Sequence, residues 1–347
     1  MRPLQKTLDS AALRHNWHTI RARATAKNIF AVVKSRAYGH GLPFVAETLR
    51  GLADGFAVVE MADARALRAL CIDKPILLMS GPFSTEEVAE LASLRLWTAV
   101  CNVQQMQWVS ALPASADINV FVKVDIGMNR LGIAVDEAKM VLDAITCAPA
   151  VKHTALMAHF ANADEPAGLQ VPLDRLQELR QQVTMLSLGN SAATLLHGDI
   201  GDDWARVGIA LYGSSPAPTW CHRDSLGLRS VMTLKTKLIS IRLVCVGDSV
   251  GYGRTWCAAQ DTRVGVAACG YGDGYPRAQG LQVAVNGQLV PVLGRVSMEL
   301  IIIDLTNLPD AAVGDEVVCW GKTPSIDEVA TAAGRVSYEL FTAAGRG

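Results

Sequence analysis

The sequence lacks a dominant charge: 32 lysines and arginines face 33 aspartates and glutamates, a formal net charge of −1 over 347 residues. Nucleic acid and anionic membrane surfaces are gripped by a clustered basic excess. No basic run exceeds ordinary helix faces such as Arg65 and Arg68, and Asp63 stands beside those. Neither nucleic acid nor a membrane is therefore expected as a partner. Also missing is any uninterrupted apolar stretch near the ~20 residues that a membrane helix needs. The opening Met1-Arg2-Pro3-Leu4-Gln5-Lys6 lacks the apolar run of a signal peptide, so a cytoplasmic globular protein is expected. The eight cysteines (Cys71, Cys101, Cys147, Cys221, Cys245, Cys257, Cys269 and Cys319) are scattered, with no C-x-x-C pair. That spacing predicts reduced thiols, with neither a disulfide framework nor a metal site.

What is present is apolar material, 50% of the chain, on a length that suits roughly two domains. Short apolar runs alternate with amphipathic stretches through the first two-thirds. Strands are expected at 29–34, 55–60, 75–80, 96–100, 118–125, 152–160, 185–190 and 207–212. Helices are expected at 43–50 and 61–70, and from Thr85 and Asn102. Continuous apolar strands separated by helices imply a parallel sheet buried on both faces. About eight such units predict an α/β protein built on a (β/α)8 TIM-like barrel, with an open doubly wound sheet ranked second. Near 216–225 the rhythm changes to strands with few helices, at 231–246, 262–269, 281–294, 300–305 and 316–320. Asn286-Gly287 marks a hairpin there, and one helix at 326–333 closes the region. The expected division is an N-terminal segment at 1–10 packing with the β region, a barrel at 11–220, and a smaller, mostly β C-terminal domain at 221–347.

Lys34 ends the first apolar strand, in Val33-Lys34-Ser35-Arg36-Ala37-Tyr38-Gly39-His40-Gly41. The C-terminal strand ends of a parallel barrel face its active site. Partial desolvation there favours a neutral amine, which suits a Schiff base. Taken alone, Lys34 reads as a lysine with a buried stem and a solvated head. Its sequence context changes the balance, because the segment resembles the pyridoxal-phosphate lysine segment of alanine racemases. Eight further segments resemble that family's landmarks in order, at 123–132, 159–164, 189–193, 206–213, 251–255, 270–277, 294–299 and 337–339. Together they span nearly the whole chain.

The resemblance implies interconversion of L-alanine and D-alanine by two-base proton transfer on pyridoxal 5'-phosphate, supplying D-alanine for bacterial peptidoglycan. It assigns Lys34 to one face of the cofactor and Tyr252 to the other. Tyr38, Asn190, Ser191, Gly208, Ile209 and Tyr338 hold the cofactor phosphate, and Arg206 lies beside the pyridine nitrogen. Arg130 meets the cofactor phenolate and the substrate carboxylate. Lys123 matches a lysine often carbamylated in the family, with an unmodified lysine an equal alternative. Tyr252 and Met298 reach the partner's site, which implies a homodimer with shared sites. Tyr271 and Tyr338 narrow the entrance, with Asp164, Arg277 and Arg295 further out.

Elementary chemistry supports parts of this assignment. Racemisation needs a proton removed from one face of Cα and another returned to the opposite face. Tyrosine ordinarily ionises near pH ~10, so Tyr252 needs help to act as a base, for which His159 and Arg206 are the candidates. Guanidinium only donates, so Arg206 leaves the pyridine nitrogen without a proton and weakens the electron sink, favouring proton return over side reactions. The bland readings are an Arg206 paired with Asp202 or Asp203, a Ser191 that merely caps a helix, and a packed Tyr252. Rival enzymes are a racemase for serine or larger amino acids and a fold-related decarboxylase, which would place a carboxylate at the pyridine nitrogen. A non-catalytic cofactor carrier would lack the β region. The chain departs from the family at Ser35-Arg36, at Leu188-Gly189, at Glu299 where aspartate is usual, and in a short tail after Tyr338.

Overall fold

The structure is a computed structural model that describes residues 2–344. It separates into two units. One holds Arg14–Ala37 and Leu42–Leu211; the other holds the residues up to Leu13, Tyr38–Gly41, and those from Tyr212 onward. The short tail expected beyond Ala344 lies outside the described residues.

The first strand, β1 (Gln5–Leu8), belongs to the second unit. The first unit contains β2 (Asn28–Val32), β3 (Gly55–Val58), β4 (Ile76–Leu78), β5 (Leu96–Val100), β6 (Ile118–Lys123), β7 (Val151–Met157), β8 (Leu186–Ser187) and β9 (Trp204–Val207). They pair in parallel in the order β8-β7-β6-β5-β4-β3-β2-β9, with helices between, as expected for the barrel. β8 has only two residues and forms no ladder with β9. Two backbone bonds bridge this seam instead, Asp203 N to Leu186 O at 3.0 Å and Arg206 N to Gly189 O at 2.8 Å. The eighth strand starts earlier than the sequence suggests. Gly208 ends the extended run, and the expected strand residues Ile209–Tyr212 wind into a 3-10 turn.

The barrel interior explains how the strand ends are aimed. Phe30, Trp97, Phe121 and Trp204 meet inside the barrel, with Phe30 stacked on Trp204 at 4.2 Å and edge-on to Trp97 at 5.8 Å. Side chains alternate along a strand with a period of two. Lys123 and Arg206 each follow an interior aromatic by two positions, and Lys34 and Cys101 each follow one by four. The same alternation that packs the aromatic plug therefore sends these residues inward at the C-terminal mouth.

The second unit adds β10 (Met232–Val244), β11 (Ser249–Val250), β12 (Trp256–Cys257), β13 (Thr262–Ala267), β14 (Gln282–Val285), β15 (Gln288–Leu293), β16 (Ile301–Asp304) and β17 (Glu316–Trp320). Its main sheet is antiparallel and runs β1-β10-β13-β16-β15-β14-β17, with β17 also pairing on β10 so that the sheet closes on itself. The Asn286-Gly287 hairpin forms as expected, both residues at positive φ. Two helices follow rather than the one expected, Ile326–Ala332 and Ser337–Ala344. Ser337 and Asp327 explain the second. Ser214 Oγ lies 2.7 Å from Ser337 Oγ and donates to Asp327 at 2.5 Å, anchoring the helix start with buried hydrogen bonds.

Candidate active site

At the barrel mouth Lys34, Lys123, Arg130, His159 and Arg206 share one field. Lys34 follows β2 and leads into a left-handed turn: Ser35, Arg36, Ala37 and Tyr38 have φ of 52°, 55°, 53° and 54°. Such a turn costs about 1–2 kcal/mol per residue for non-glycine side chains. Backbone strain of this size persists where the surroundings over-determine it, commonly at functional sites. Nothing in the sequence signalled it. Burial lowers the Lys34 amine below the usual lysine range, and the charges of Arg130 and Arg206 add to the effect. Among the described residues no carboxylate pairs with Lys34 Nζ.

Lys123 is buried at the end of β6, 8% exposed. Burial depresses it first, the Cys101 thiol opposes, and Arg206, Arg130 and Lys34 depress it further. Cys101, which the sequence reading left as an ordinary core thiol, is pushed up to about 11 by burial, with Lys123 opposing. Arg130 stands on the loop after β6, and Asp125 shapes that loop. The Asp125 carboxylate accepts from the backbone amides of Gly127 (2.8 Å), Asn129 (3.0 Å) and Arg130 (3.1 Å). Burial raises its pKa, but these amides outweigh burial and hold it below the usual carboxylate range.

Arg206 is 5% exposed, and burial pushes it down to about 10, with Asp202 acting the other way. It thus stays charged at neutral pH. Its Nη1 donates to Ser187 O and Ser187 Oγ, both at 2.7 Å. Its Nη2 donates to Ala158 O at 2.6 Å, and lies 3.4 Å from both His159 Nδ1 and Leu188 O. Every one of these acceptors is neutral. The bland alternative, Arg206 paired with Asp202 or Asp203, does not form, because both carboxylates are taken. Asp202 accepts from the Leu188 and Gly189 amides, and Asp203 accepts from Leu186 N and Lys27. Because guanidinium only donates, His159 Nδ1 is the acceptor and the ring proton sits on Nε2. Burial holds the imidazole down at about 3, with Arg206 the leading charge, so His159 is neutral. A groove of about 280 Å³ opens beside it, lined by Ile126, Met128, Ala161, Asn162, Val171 and Arg175 among others. Asp164 is exposed on the neighbouring loop.

The cap of the helix Ser191–Leu196 is Asn190, whose side chain accepts from Ala193 N at 3.0 Å. Ser191 does not serve as that cap. Its Oγ accepts from Gly208 N at 3.0 Å, which ties the turn after β8 to the turn before Ile209.

The remaining candidates belong to the second unit. Tyr38 stacks on Tyr212 at 4.8 Å and lies 5.8 Å from Tyr338; burial and Tyr338 raise its phenol, so it is a neutral donor. Tyr252 is 68% exposed on a loop whose Gly253 packs beside the exposed Arg295. Tyr271, its ring beneath Arg277 at 5.9 Å, zips to the Met298 loop. Tyr271 N donates to Ser297 O at 3.0 Å, and Gly272 N donates to Met298 O at 2.8 Å. Any side chain at Gly270 would come within 2.4 Å of those two carbonyls. Arg2, missed in the sequence, clamps both loops by a bidentate pair with Asp273 (2.8 and 2.9 Å) and a bond to Glu299 O at 3.0 Å. Glu299, the departure from aspartate, is thus engaged there through its backbone.

A parallel eight-stranded barrel with a depressed strand-end lysine in a cationic mouth, followed in sequence by a closed antiparallel unit, defines a class, that of two-unit barrel enzymes. The comparisons narrow this. The family models described as alanine racemase, N-terminal domain and alanine racemase, C-terminal domain match residues 8–216 and 231–347. The alanine racemase of Stutzerimonas stutzeri (strain A1501) is 43% identical over 347 residues, covering 99% of this chain and 97% of that protein. A catabolic alanine racemase of Klebsiella aerogenes is 39% identical over 345 residues, with the same coverage. The crystal structure of biosynthetic alanine racemase from Pseudomonas aeruginosa superposes with a TM-score of 0.94 at 41% identity, covering 99% of this chain and 97% of that one. The chain belongs to the alanine racemase family.

Proposed function

We infer that this chain interconverts L-alanine and D-alanine, using pyridoxal phosphate attached to Lys34, and so supplies D-alanine of the kind built into bacterial peptidoglycan. The observation that carries the reading is the pair Lys34 and Arg206. One is a depressed amine with no carboxylate partner among the described residues; the other is a buried guanidinium whose acceptors are all neutral. These residues fit the cofactor. Its aldehyde would require an amine that is partly neutral, as Lys34 is, and Arg206 would offer its ring nitrogen a donor rather than a carboxylate. When bound, pyridoxal phosphate withdraws electrons from the amino acid's α-carbon and so acidifies its hydrogen.

The chain's own residues supply the rest. Lys34 Nζ takes or returns the α-proton on one face, since burial and two neighbouring cations enlarge its neutral fraction. Arg206 Nη1 and Nη2 are both occupied by protein acceptors, which leaves Nε–H as the guanidinium donor for the cofactor ring. His159, its Nδ1 turned to Arg206, keeps Nε2–H as a donor suited to helping a Tyr252 base. Arg130 is the cation for the substrate carboxylate, on a loop held by Asp125. The Ser191 hydroxyl, already accepting from Gly208 N, keeps its proton for a phosphate, together with the amide of Ile209. Lys123, depressed and buried, is a candidate for carbamylation. Tyr252, Tyr38, Tyr338, Asn190 and Met298, and the entrance residues Tyr271, Asp164, Arg277 and Arg295, keep their assignments from the family resemblance. So does the homodimer with shared sites.

The test is direct. The purified protein should show a visible absorbance band from bound cofactor, and L-alanine incubated with it should lose its optical rotation. A protein that binds the cofactor yet leaves both enantiomers of alanine untouched would overturn the reading.

A further inference from the structure

The seam between β8 and β9 is where the barrel has least backbone pairing, and polar side chains stitch it. Ser187, fully buried at the end of β8, donates from Oγ to Trp204 O across the seam at 2.7 Å. A serine hydroxyl has one proton. With that proton committed to Trp204, Oγ can meet Arg206 Nη1 only as an acceptor, and it does so at 2.7 Å. Just beyond, Leu188 N and Gly189 N donate to Asp202 at 2.7 and 2.9 Å. A side chain on Gly189 would bring Cβ within 2.7 Å of Asp202 Oδ2, so glycine lets the carboxylate close on the strand end. Asp202 thereby fixes the segment whose carbonyls at 187 and 188 face the guanidinium. It is buried too, and makes no ion pair with Arg206 among the described residues.

We propose that Ser187 and Asp202 are positioning residues for Arg206: Ser187 anchors Nη1 directly, and Asp202 holds the β8 end so that its carbonyls complete the cradle. The proposal rests on the activity inferred above and deepens it. With Nη1 and Nη2 both filled, rotation of the guanidinium plane is blocked and the direction of Nε–H is set by the seam. A donor of fixed direction keeps the cofactor ring nitrogen unprotonated; a loosened one does not. The consequence is a changed partition between two fates of the α-proton. Returned to Cα, it gives racemised alanine. Delivered to the cofactor's aldehyde carbon, it gives pyruvate and pyridoxamine phosphate from alanine and pyridoxal phosphate, the amino group passing to the cofactor in a balanced exchange.

The experiment compares Ser187→Ala, Asp202→Asn and the parent as holoenzymes, measuring pyruvate formed per racemisation event and thermal midpoints. In the same proteins freed of cofactor, hydrogen exchange at Arg206 Nε is followed by NMR. Ser187→Ala should raise the pyruvate ratio about tenfold, and Arg206 Nε–H should exchange about tenfold faster. Asp202→Asn should move both in the same direction by a smaller factor. Loss of stability alone would not move the ratio, because it scales both fates together. If both quantities stay at the parent's values in both variants, whatever happens to total activity, the positioning role is overturned. A parent that fails to racemise alanine would instead overturn the activity itself, so the two failures are distinguishable.

Discussion

The two units hold their candidate residues in opposite ways. In the barrel, Lys123 and Arg206 are buried and electrostatically coupled, and Arg206 is locked by neutral acceptors. In the β unit, Tyr252 and Met298 are 68% and 59% exposed; the Met298 loop is stitched by Arg2, Asp273 and Ser297, and the Tyr252 loop packs beside Arg295. A rigid loop that presents large apolar side chains to solvent marks a surface meant for contact. The barrel's groups are tuned by their own unit. Those of the β unit are presented to solvent. The family resemblance implies that a second copy of this chain would supply their environment.

The sharpest break between the units comes from removing one base in each. Lys34→Ala removes the depressed amine together with the attachment point, so racemisation should fall by about ten-thousandfold or more, the upper range of general-base effects. In the parent, borohydride reduction followed by peptide mapping should place the pyridoxyl label on Lys34; a label on another lysine would undo the assignment. Tyr252→Phe should act on one enantiomer. Exchange of the α-hydrogen of L-alanine in deuterated water should drop about a hundredfold or more, while exchange from D-alanine persists through Lys34. Equal slowing of both enantiomers would make Tyr252 structural.

Mixing the two inactive variants under subunit exchange tests whether the supplier is a second copy. Random pairing puts half the chains in mixed dimers, each with one intact composite site, so about a quarter of parental activity should return. If each site is built from a single chain, nothing returns.

A smaller effect probes the tuning within the barrel. His159 is held at about 3 in the folded state against an ordinary 6.5. Above about pH 6.5 the ring is neutral whether folded or unfolded, so it adds no pH dependence. As pH falls from there toward about 3, the unfolded chain takes up a proton that the folded chain refuses. Stability is then lost at up to about 1.4 kcal/mol per pH unit. Thermal midpoints of the parent and of His159→Gln should converge at pH 7 in their local slope and diverge below pH 6, with the variant less sensitive to acid. Parallel curves would mean that His159 is not held neutral.

Much of this was legible along the chain. The apolar strands and intervening helices predicted the barrel, Asn286-Gly287 predicted its hairpin, and Lys34 stood out at a strand end. The eighth strand was misplaced because the apolar run continues through Ile209–Tyr212, and only Gly208 marks the change. The helix Ser337–Ala344 escaped because its start is anchored by Ser214, far away in sequence, which is itself held by Asp327. Asp202 was only the bland alternative partner for Arg206, and what the sequence left open is the role its carboxylate takes, on the Leu188 and Gly189 amides.

By itself the sequence determined the order of elements, the two kinds of sheet, and which side chains end up at strand ends, because these follow from local periodicity and turn chemistry. The tertiary structure alone decided which groups those side chains meet. Closing the barrel brings Ser187 to Arg206, Arg206 to His159 and Cys101 to Lys123. The first two pairings need the β8–β9 seam to close, the third needs β5 and β6 to pair in register, and burial there sets charge and tautomer by what surrounds a residue rather than by what precedes it.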